Sequence, residues 1–338
     1  MSGEPALLEL DGLAVHFPIT RGLLQRQVSA VRAVEGVTLS LRRGEAFGLV
    51  GESGCGKSTL ARAVLRLEEP TAGSIRFDGT EITALDGRGL APFRKRIGAI
   101  FQDPFSSLNP RQKAGKILEE VLSVHDFEGD RRSRMLELLD ICGLEARFAE
   151  LYPHQMSGGQ RQRVGIARAL ALEPELVVCD EAVSSLDVSI QAQVINLLAE
   201  LRERFGLTYL FIAHDLSVVR HLCDRVAVMY LGRIVEEGPS EILFADPRHP
   251  YTKALIDAIP RADPEVEAGQ EGRTLPGEVP SPSNPPSGCV FHTRCPIAMD
   301  KCRRDEPPLE SFDTERRAAC FASHEQVRQD NTPPEATT

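Results

Sequence analysis

The stretch Gly51-Glu52-Ser53-Gly54-Cys55-Gly56-Lys57-Ser58-Thr59 constrains this chain more than any other. It has the form G-x-x-x-x-G-K-[ST], a loop that binds phosphate groups. The preceding residues, Ala46-Phe47-Gly48-Leu49-Val50, form a short apolar run typical of a buried parallel strand. The following residues, 60–65, read as helix. Strand, glycine loop and helix in that order are the setting the loop requires. Gly51, Gly54 and Gly56 let successive backbone N–H groups, including those of Ser53 and Thr59, turn around an anion without Cβ clashes. The new helix aims its positive end at the same spot. Lys57 supplies a point charge for β- and γ-phosphates, and Ser58 a hydroxyl for Mg²⁺.

A chain of 338 residues holds an α/β core with an appendage, so two or three sub-domains are expected. The net charge is −10 with no long basic tract, which argues against nucleic acid as the main partner. No apolar run approaches the length of a membrane span, and the first residues lack a signal peptide's basic and apolar regions. The expectation is a protein kept in the cytosol that reaches a membrane only through partners. Of eight cysteines, Cys289, Cys295, Cys302 and Cys320 gather near the C-terminus. In a reducing compartment such a group points to metal before disulfides.

Along the chain, residues 7–17 read as an edge strand and 20–32 as a loop insertion. Short strands are expected at 73–79, closed by Asp78-Gly79, and at 97–101, ended by Pro104. Met135, Leu138, Leu139 and Cys142 make a helical stripe inside a mostly helical insert. Core strands resume at 176–180 and 208–213, with a helix between them that presents Val194, Leu197, Leu198, Leu201 and Phe205 on one face. Residues 226–237 read as a hairpin turning at Leu231-Gly232. Proline, glycine and charge over 260–287 predict an extended linker, and residues 326–338 a disordered tail.

Two further motifs carry chemistry. Leu176-Val177-Val178-Cys179 delivers Asp180 and Glu181 to the C-terminal end of a buried strand, where ligands sit in open α/β sheets. Asp180 would hold Mg²⁺ through water, and Glu181 would polarise an attacking water. In Ser157-Gly158-Gly159-Gln160, Ser157 is an N-cap and the glycines permit close approach of an anion. The segment resembles the S-G-G-Q signature of ABC-transporter ATPases, with the phosphate loop and acid pair in the expected order.

That resemblance implies an α/β P-loop NTPase cassette: a RecA-like core with an antiparallel β subdomain over 7–103 and 173–248, and a helical signature subdomain over 104–172. It also implies further site residues. Gln102 is similar to the glutamine-loop residue that meets Mg²⁺ or the attacking water. Asp187, in Ser185-Leu186-Asp187, is similar to an aspartate that crosses the dimer interface. His214 is similar to the switch histidine at the γ-phosphate. Phe17, or a residue of the 20–32 insertion, would stack on adenine, though Phe17 also reads as an ordinary strand-end aromatic. In this family the Ser157-Gly158-Gly159 helix of one cassette faces the phosphate loop of another.

Ser106-Ser107-Leu108-Asn109-Pro110-Arg111, 187–194, His249-Pro250-Tyr251-Thr252-Lys253-Ala254-Leu255 and Arg294-Cys295-Pro296 narrow the resemblance to the ATPase subunits of oligopeptide and dipeptide importers. Residues 180–184 are more similar to the second of their two paired ATPases, although Ala182 stands where proline is frequent. The implied partners are a second ATPase subunit, two membrane permeases and an extracytoplasmic peptide-binding protein, with the chain peripheral at the cytoplasmic face of the plasma membrane. The C-terminal cysteines, in a small extension over 249–325, space as C-x₅-C-x₆-C-x₁₇-C. Four thiolates suit tetrahedral zinc or an iron–sulfur cluster, and the resemblance implies [4Fe–4S]; two disulfides or idle thiols are the alternatives. A soluble ABC ATPase acting on ribosomes or DNA is disfavoured by the single cassette. The same importer type serving metal chelates, glutathione or opines is not distinguished.

Overall fold

The computed structural model describes residues 5–21, 26–103, 107–259, 277–313 and 315–330. A sheet of mixed direction carries the site. Its order is β11-β12-β10-β9-β3-β8-β7-β6, built from β3 (Ala46–Val50), β6 (Ile97–Ile100), β7 (Leu176–Asp180), β8 (Thr208–Ala213), β9 (Arg225–Tyr230), β10 (Arg233–Pro239), β11 (Glu310–Ser311) and β12 (Arg317–Ala318). β9, β3, β8, β7 and β6 run parallel. β3, β7 and β8 are buried along their whole length, which is why they read as unbroken apolar runs. β10, β12 and β11 add antiparallel, so residues from near the C-terminus extend the sheet.

A second, antiparallel sheet of order β2-β1-β4-β5 comprises β1 (Leu8–Arg21), β2 (Arg26–Leu41), β4 (Ala72–Phe77) and β5 (Thr80–Glu81). Leu8, Leu10 and Leu13 of β1 and Leu39 and Leu41 of β2 pack with Leu60 and Val64 of α1 (Lys57–Val64) into one core. Two expectations are corrected here. β1 is not an edge strand, because β2 and β4 pair with it on either side. The 20–32 segment is not a loop insertion: Ile19 pairs with Ser29 and Thr20 with Gln27 in a long hairpin. Ladder hydrogen bonds satisfy the backbone whatever the side chains, so a solvated hairpin needs no apolar alternation. Residues 22–25 lie outside the described part.

The helical insert contains α3 (Ala114–Val124), α4 (Arg131–Ile141) and α5 (Gly158–Ala169), preceded by α2 (Gly87–Arg96). Met135, Leu138, Leu139 and Cys142 are buried as their spacing predicts. α6 (Val188–Phe205) buries Val194, Leu197, Leu198 and Leu201. Phe205 is instead exposed, because it is the last residue of the helix before Gly206 turns the chain left-handed. α7 (Leu216–Leu222), α8 (Ser240–Ala245), α9 (Pro250–Asp257) and α10 (Phe321–Asp330) complete the chain. α10 makes residues 326–330 helical rather than part of a tail; 331–338, and the linker as far as 276, lie outside the described residues. No helix among the described residues is long and apolar enough to cross a membrane.

Candidate active site

Four adjacent parallel strands deliver the predicted groups to one edge of the sheet. β3 runs into the phosphate loop, β8 ends at His214, β7 at Asp180 and Glu181, and β6 just before Gln102. The loop depends on its glycines. Gly51 and Gly56 have φ of 153° and 110°, and a Cβ on them would lie 2.2 Å from the Met229 carbonyl oxygen and 2.0 Å from that of Ala33. The backbone therefore lies flush against β9 and β2. Lys57 is buried, and its Nζ donates to the carbonyls of Gly51 at 2.7 Å and Glu52 at 3.0 Å, so the ammonium is held within the curl of the loop. Ser53 and Gly54 are exposed, whereas Ser58 and Thr59 are half-buried on α1.

Ser58 Oγ donates to Asp180 Oδ1 at 2.9 Å. Burial pushes the Asp180 carboxyl up, the Ser58 hydrogen bond opposes that, and neighbouring Glu181 adds to it. A buried carboxylate beside a hydroxyl is a hard-oxygen donor set that fits Mg²⁺. Glu181 adopts a left-handed backbone, φ 48°, in a region a non-glycine residue occupies at a cost of about 1–3 kcal/mol. Its N–H donates to the Ile212 carbonyl at 3.0 Å, and its own carbonyl accepts from Ser184 Oγ at 2.9 Å. This turn sets the carboxylate between two partners. Gln102 Nε2 donates to Glu181 Oε2 at 2.7 Å, and His214 Nδ1 lies 3.7 Å from the same oxygen. Both Gln102 and His214 are exposed, so the group opens to solvent.

The signature residues stand apart from this group. Ser157 Oγ accepts from the Gln160 N–H at 3.3 Å, and Gln160 Oε1 accepts from the Ser157 N–H at 2.9 Å, a reciprocal cap on α5. No hydrogen bond or ion pair among the described residues joins 157–160 to 51–59. Gly159 is needed for packing, since a Cβ there would lie 2.6 Å from Ile190 Cγ2 on α6, while at Gly158 the nearest atom is Leu186 Cδ2 at 3.4 Å. Asp187 is exposed at the start of α6 and caps nothing with its side chain. Phe17 is exposed on β1 and pairs with Val31, two positions along β2 from the Ala33 carbonyl that lies against Gly56.

Sequence reasoning missed four residues that position these groups. Buried Gln162 of α5 donates to the Ala182 carbonyl at 2.6 Å, tying the signature helix to the residue after Glu181. Gln191 of α6 donates to the Val183 carbonyl at 2.8 Å. Tyr251 and Arg294 reach the phosphate loop from the C-terminal segment. Polar side chains aimed at carbonyls leave no periodic signal.

All eight cysteines are free thiols, and among the described residues no group of three or more His, Cys, Asp or Glu is arranged to hold a metal ion. Cys289, Cys302 and Cys320 are buried and Cys295 is half-buried, with the Cys289 N–H donating to the Cys302 carbonyl at 2.8 Å. Burial first, then the nearby Cys302, Cys320 and Cys295, pushes the Cys289 thiol up to about 12.

The ABC transporter family matches residues 34–184, and the C-terminal region of the oligopeptide/dipeptide transporters matches residues 235–302. The oligopeptide transport ATP-binding protein AppF of Bacillus subtilis is 51% identical over 322 residues, 94% of this chain and 98% of that protein. The dipeptide transport ATP-binding protein DppF of Haemophilus influenzae is 48% identical over 317 residues, 93% of this chain and 96% of that protein. The chain belongs to the ATP-binding subunits of this transporter family. It is an ABC ATPase, an ATP-hydrolysing transport subunit. Among solved structures, the ABC cassette MJ0796, a dimer in a post-hydrolysis state with ADP and phosphate, superposes with a TM-score of 0.62 at 31% identity, covering 69% of this chain and 98% of that one.

Proposed function

We propose that this chain hydrolyses ATP at the β3–β8–β7–β6 edge to power import of di- and oligopeptides, and that each nucleotide pocket is completed by a second ATPase subunit. The observation that carries the reading is the convergence of Lys57, the Ser58–Asp180 pair and the Gln102–Glu181–His214 group on one sheet edge, with the Ser157 helix left outside it. The backbone N–H groups of 51–59 and Lys57 bind the phosphates, and Phe17, or a residue of the 20–32 segment, stacks on the base. Ser58, Asp180 and Gln102 would hold Mg²⁺, which when bound would neutralise charge on the triphosphate. A water oxygen bonds to the γ-phosphorus, the bridging bond to the β-phosphate breaks, and the water's proton passes to the Glu181 carboxylate. Gln102 orients that carboxylate, and His214 reports the γ-phosphate. Ser157, Gly158, Gly159, Gln160 and Asp187 serve the partner's pocket.

The reading further divides the chain into the core, signature and extension segments expected from the sequence. It places the protein at the cytoplasmic face of the plasma membrane against two permeases fed by an extracytoplasmic peptide-binding protein. Two peptide-transport relatives matched over nearly the whole chain support this assembly. A [4Fe–4S] cluster or zinc at Cys289, Cys295, Cys302 and Cys320 rests on the four-thiol donor set alone. Metal analysis of anaerobically purified chain tests it, and no step above passes through it.

The composite pocket is tested by mixing two inactive chains. Lys57→Ala removes the phosphate-binding amine, and Gly158→Asp places a carboxylate in the signature. Each alone should be inactive. A mixture should regain turnover, because one pocket of the mixed dimer unites an intact loop with an intact signature. A mixture as inactive as its components would mean that each pocket is complete within one chain.

A further inference from the structure

The phosphate loop carries a carboxylate, Glu52, at its second position. The C-terminal segment takes hold of it twice. Arg294 Nη1 donates to Glu52 Oε2 at 2.7 Å and Nη2 to Oε1 at 3.0 Å, a two-pronged charge pair. The Glu52 N–H donates to Tyr251 Oη at 2.8 Å. Arg294 is 5% exposed, and its guanidinium lies 5.9 Å from the centre of the Tyr230 ring. The pairing with Glu52 holds the guanidinium pKa above its ordinary value against the opposing effect of burial.

The clamp is anchored to the sheet. Tyr251 is fully buried, its ring 4.7 Å from that of Tyr230 and 5.4 Å from that of Phe291. Its N–H donates to His249 Nδ1 at 3.1 Å, which caps α9. The N–H groups of Arg248 and His249 in turn donate to Glu236 of β10 at 2.7 and 2.8 Å. A continuous run of hydrogen bonds and packed rings thus joins β10 to the back of the phosphate loop. Nothing in the loop's chemistry requires this attachment, and the residues that make it lie 199 and 242 positions further along the chain.

We propose that Arg294 and Tyr251 are positioning residues for the phosphate loop: Arg294 neutralises and draws aside the Glu52 carboxylate, and Tyr251 fixes the Glu52 backbone, so that the C-terminal segment sets the affinity of the loop for MgATP. This rests on the ATPase reading above. Without Arg294 a half-buried carboxylate stands unpaired beside the triphosphate, and repulsion over a low-dielectric path weakens binding. Any change that displaces the C-terminal segment loosens the loop in the same way.

The test measures MgATP affinity by calorimetry, and KM and kcat, on the full-length chain. Arg294→Gln should raise Kd and KM by about tenfold or more with kcat within about threefold. Glu52→Gln in the same chain should bring Kd back to within about threefold of wild type, since it removes the charge that Arg294 answers. Tyr251→Phe keeps the ring in its cluster and loses only the acceptor, and should raise Kd by about threefold. A wild-type Kd in Arg294→Gln, or a double variant as weak as the single, overturns the proposal. If Arg294→Gln does not fold, Tyr251→Phe decides, and an unchanged Kd there overturns it. Wild-type chain that binds MgATP no better than Lys57→Ala would remove the ATPase reading itself, and the clamp with it.

Discussion

Replacing Gly159 by alanine puts a methyl group where α5 crosses α6. The new Cβ would lie 2.6 Å from Ile190 Cγ2. Carbon atoms rest at about 3.5–4.0 Å, so the helices must part by roughly 1 Å. Overpacking of this kind costs about 1–3 kcal/mol, read as a fall of a few degrees in Tm. Ser157 and Gly158 ride on the same turn of α5, and a displacement of about 1 Å in a positioning element can lower turnover by roughly 10²-fold. Gly158→Ala is the internal control for stability alone, because its nearest neighbour, Leu186 Cδ2 at 3.4 Å, is at ordinary contact distance. Ile190→Ala is the suppressor, since it removes Cγ2 and Cδ1 and leaves the Ile190 Cβ at 3.9 Å. Thermal unfolding and steady-state ATPase rates on both single variants and the double variant should show a favourable coupling of about 1–2 kcal/mol. Wild-type stability and turnover in Gly159→Ala, or no relief from Ile190→Ala, would refute the reasoning.

Gln162→Met preserves side-chain length and leaves the Ala182 carbonyl without its 2.6 Å donor; it should cost about 1–3 kcal/mol in denaturant unfolding, and a change below about 0.5 kcal/mol would contradict the role assigned to that bond. Burial lowers His249 to about 3, against about 6.5 in an unfolded chain. The unfolded state therefore binds the extra proton between those values, so stability should fall as pH drops below about 6.5, by up to about 1.4 kcal/mol per pH unit. Burial raises Glu236, which acts in the opposite sense, so the comparison is wild type against His249→Asn: wild type should lose more stability between pH 6.5 and 5, and parallel curves would contradict the buried neutral imidazole.

What was legible in the sequence is what packing and glycine geometry write locally. β3, the loop and α1 announced themselves because a strand buried on both faces must be apolar and a loop flush against Ala33 and Met229 must be glycine. The candidate residues Asp180, Glu181 and His214 stood out because they sit at the ends of such strands. The hairpin at 20–32 was hidden because a solvated strand pair needs no apolar period. Phe205 fitted the stripe of α6, yet the helix ends there and leaves the ring outside. The contacts of Gln162, Tyr251 and Arg294 were invisible because each reaches one distant carbonyl, amide or carboxylate. The four gathered cysteines suggest a ligand set by their chemistry, but spacing along a chain does not choose between zinc and an iron–sulfur cluster.

The central claim is that the Glu181 carboxylate, turned by its left-handed backbone toward Gln102 and His214, takes the proton of the attacking water. Single-turnover hydrolysis of MgATP by Glu181→Gln tests it most directly. The account predicts unchanged MgATP affinity with the hydrolytic step slowed by about 10²-fold or more. Hydrolysis at the wild-type rate would contradict it.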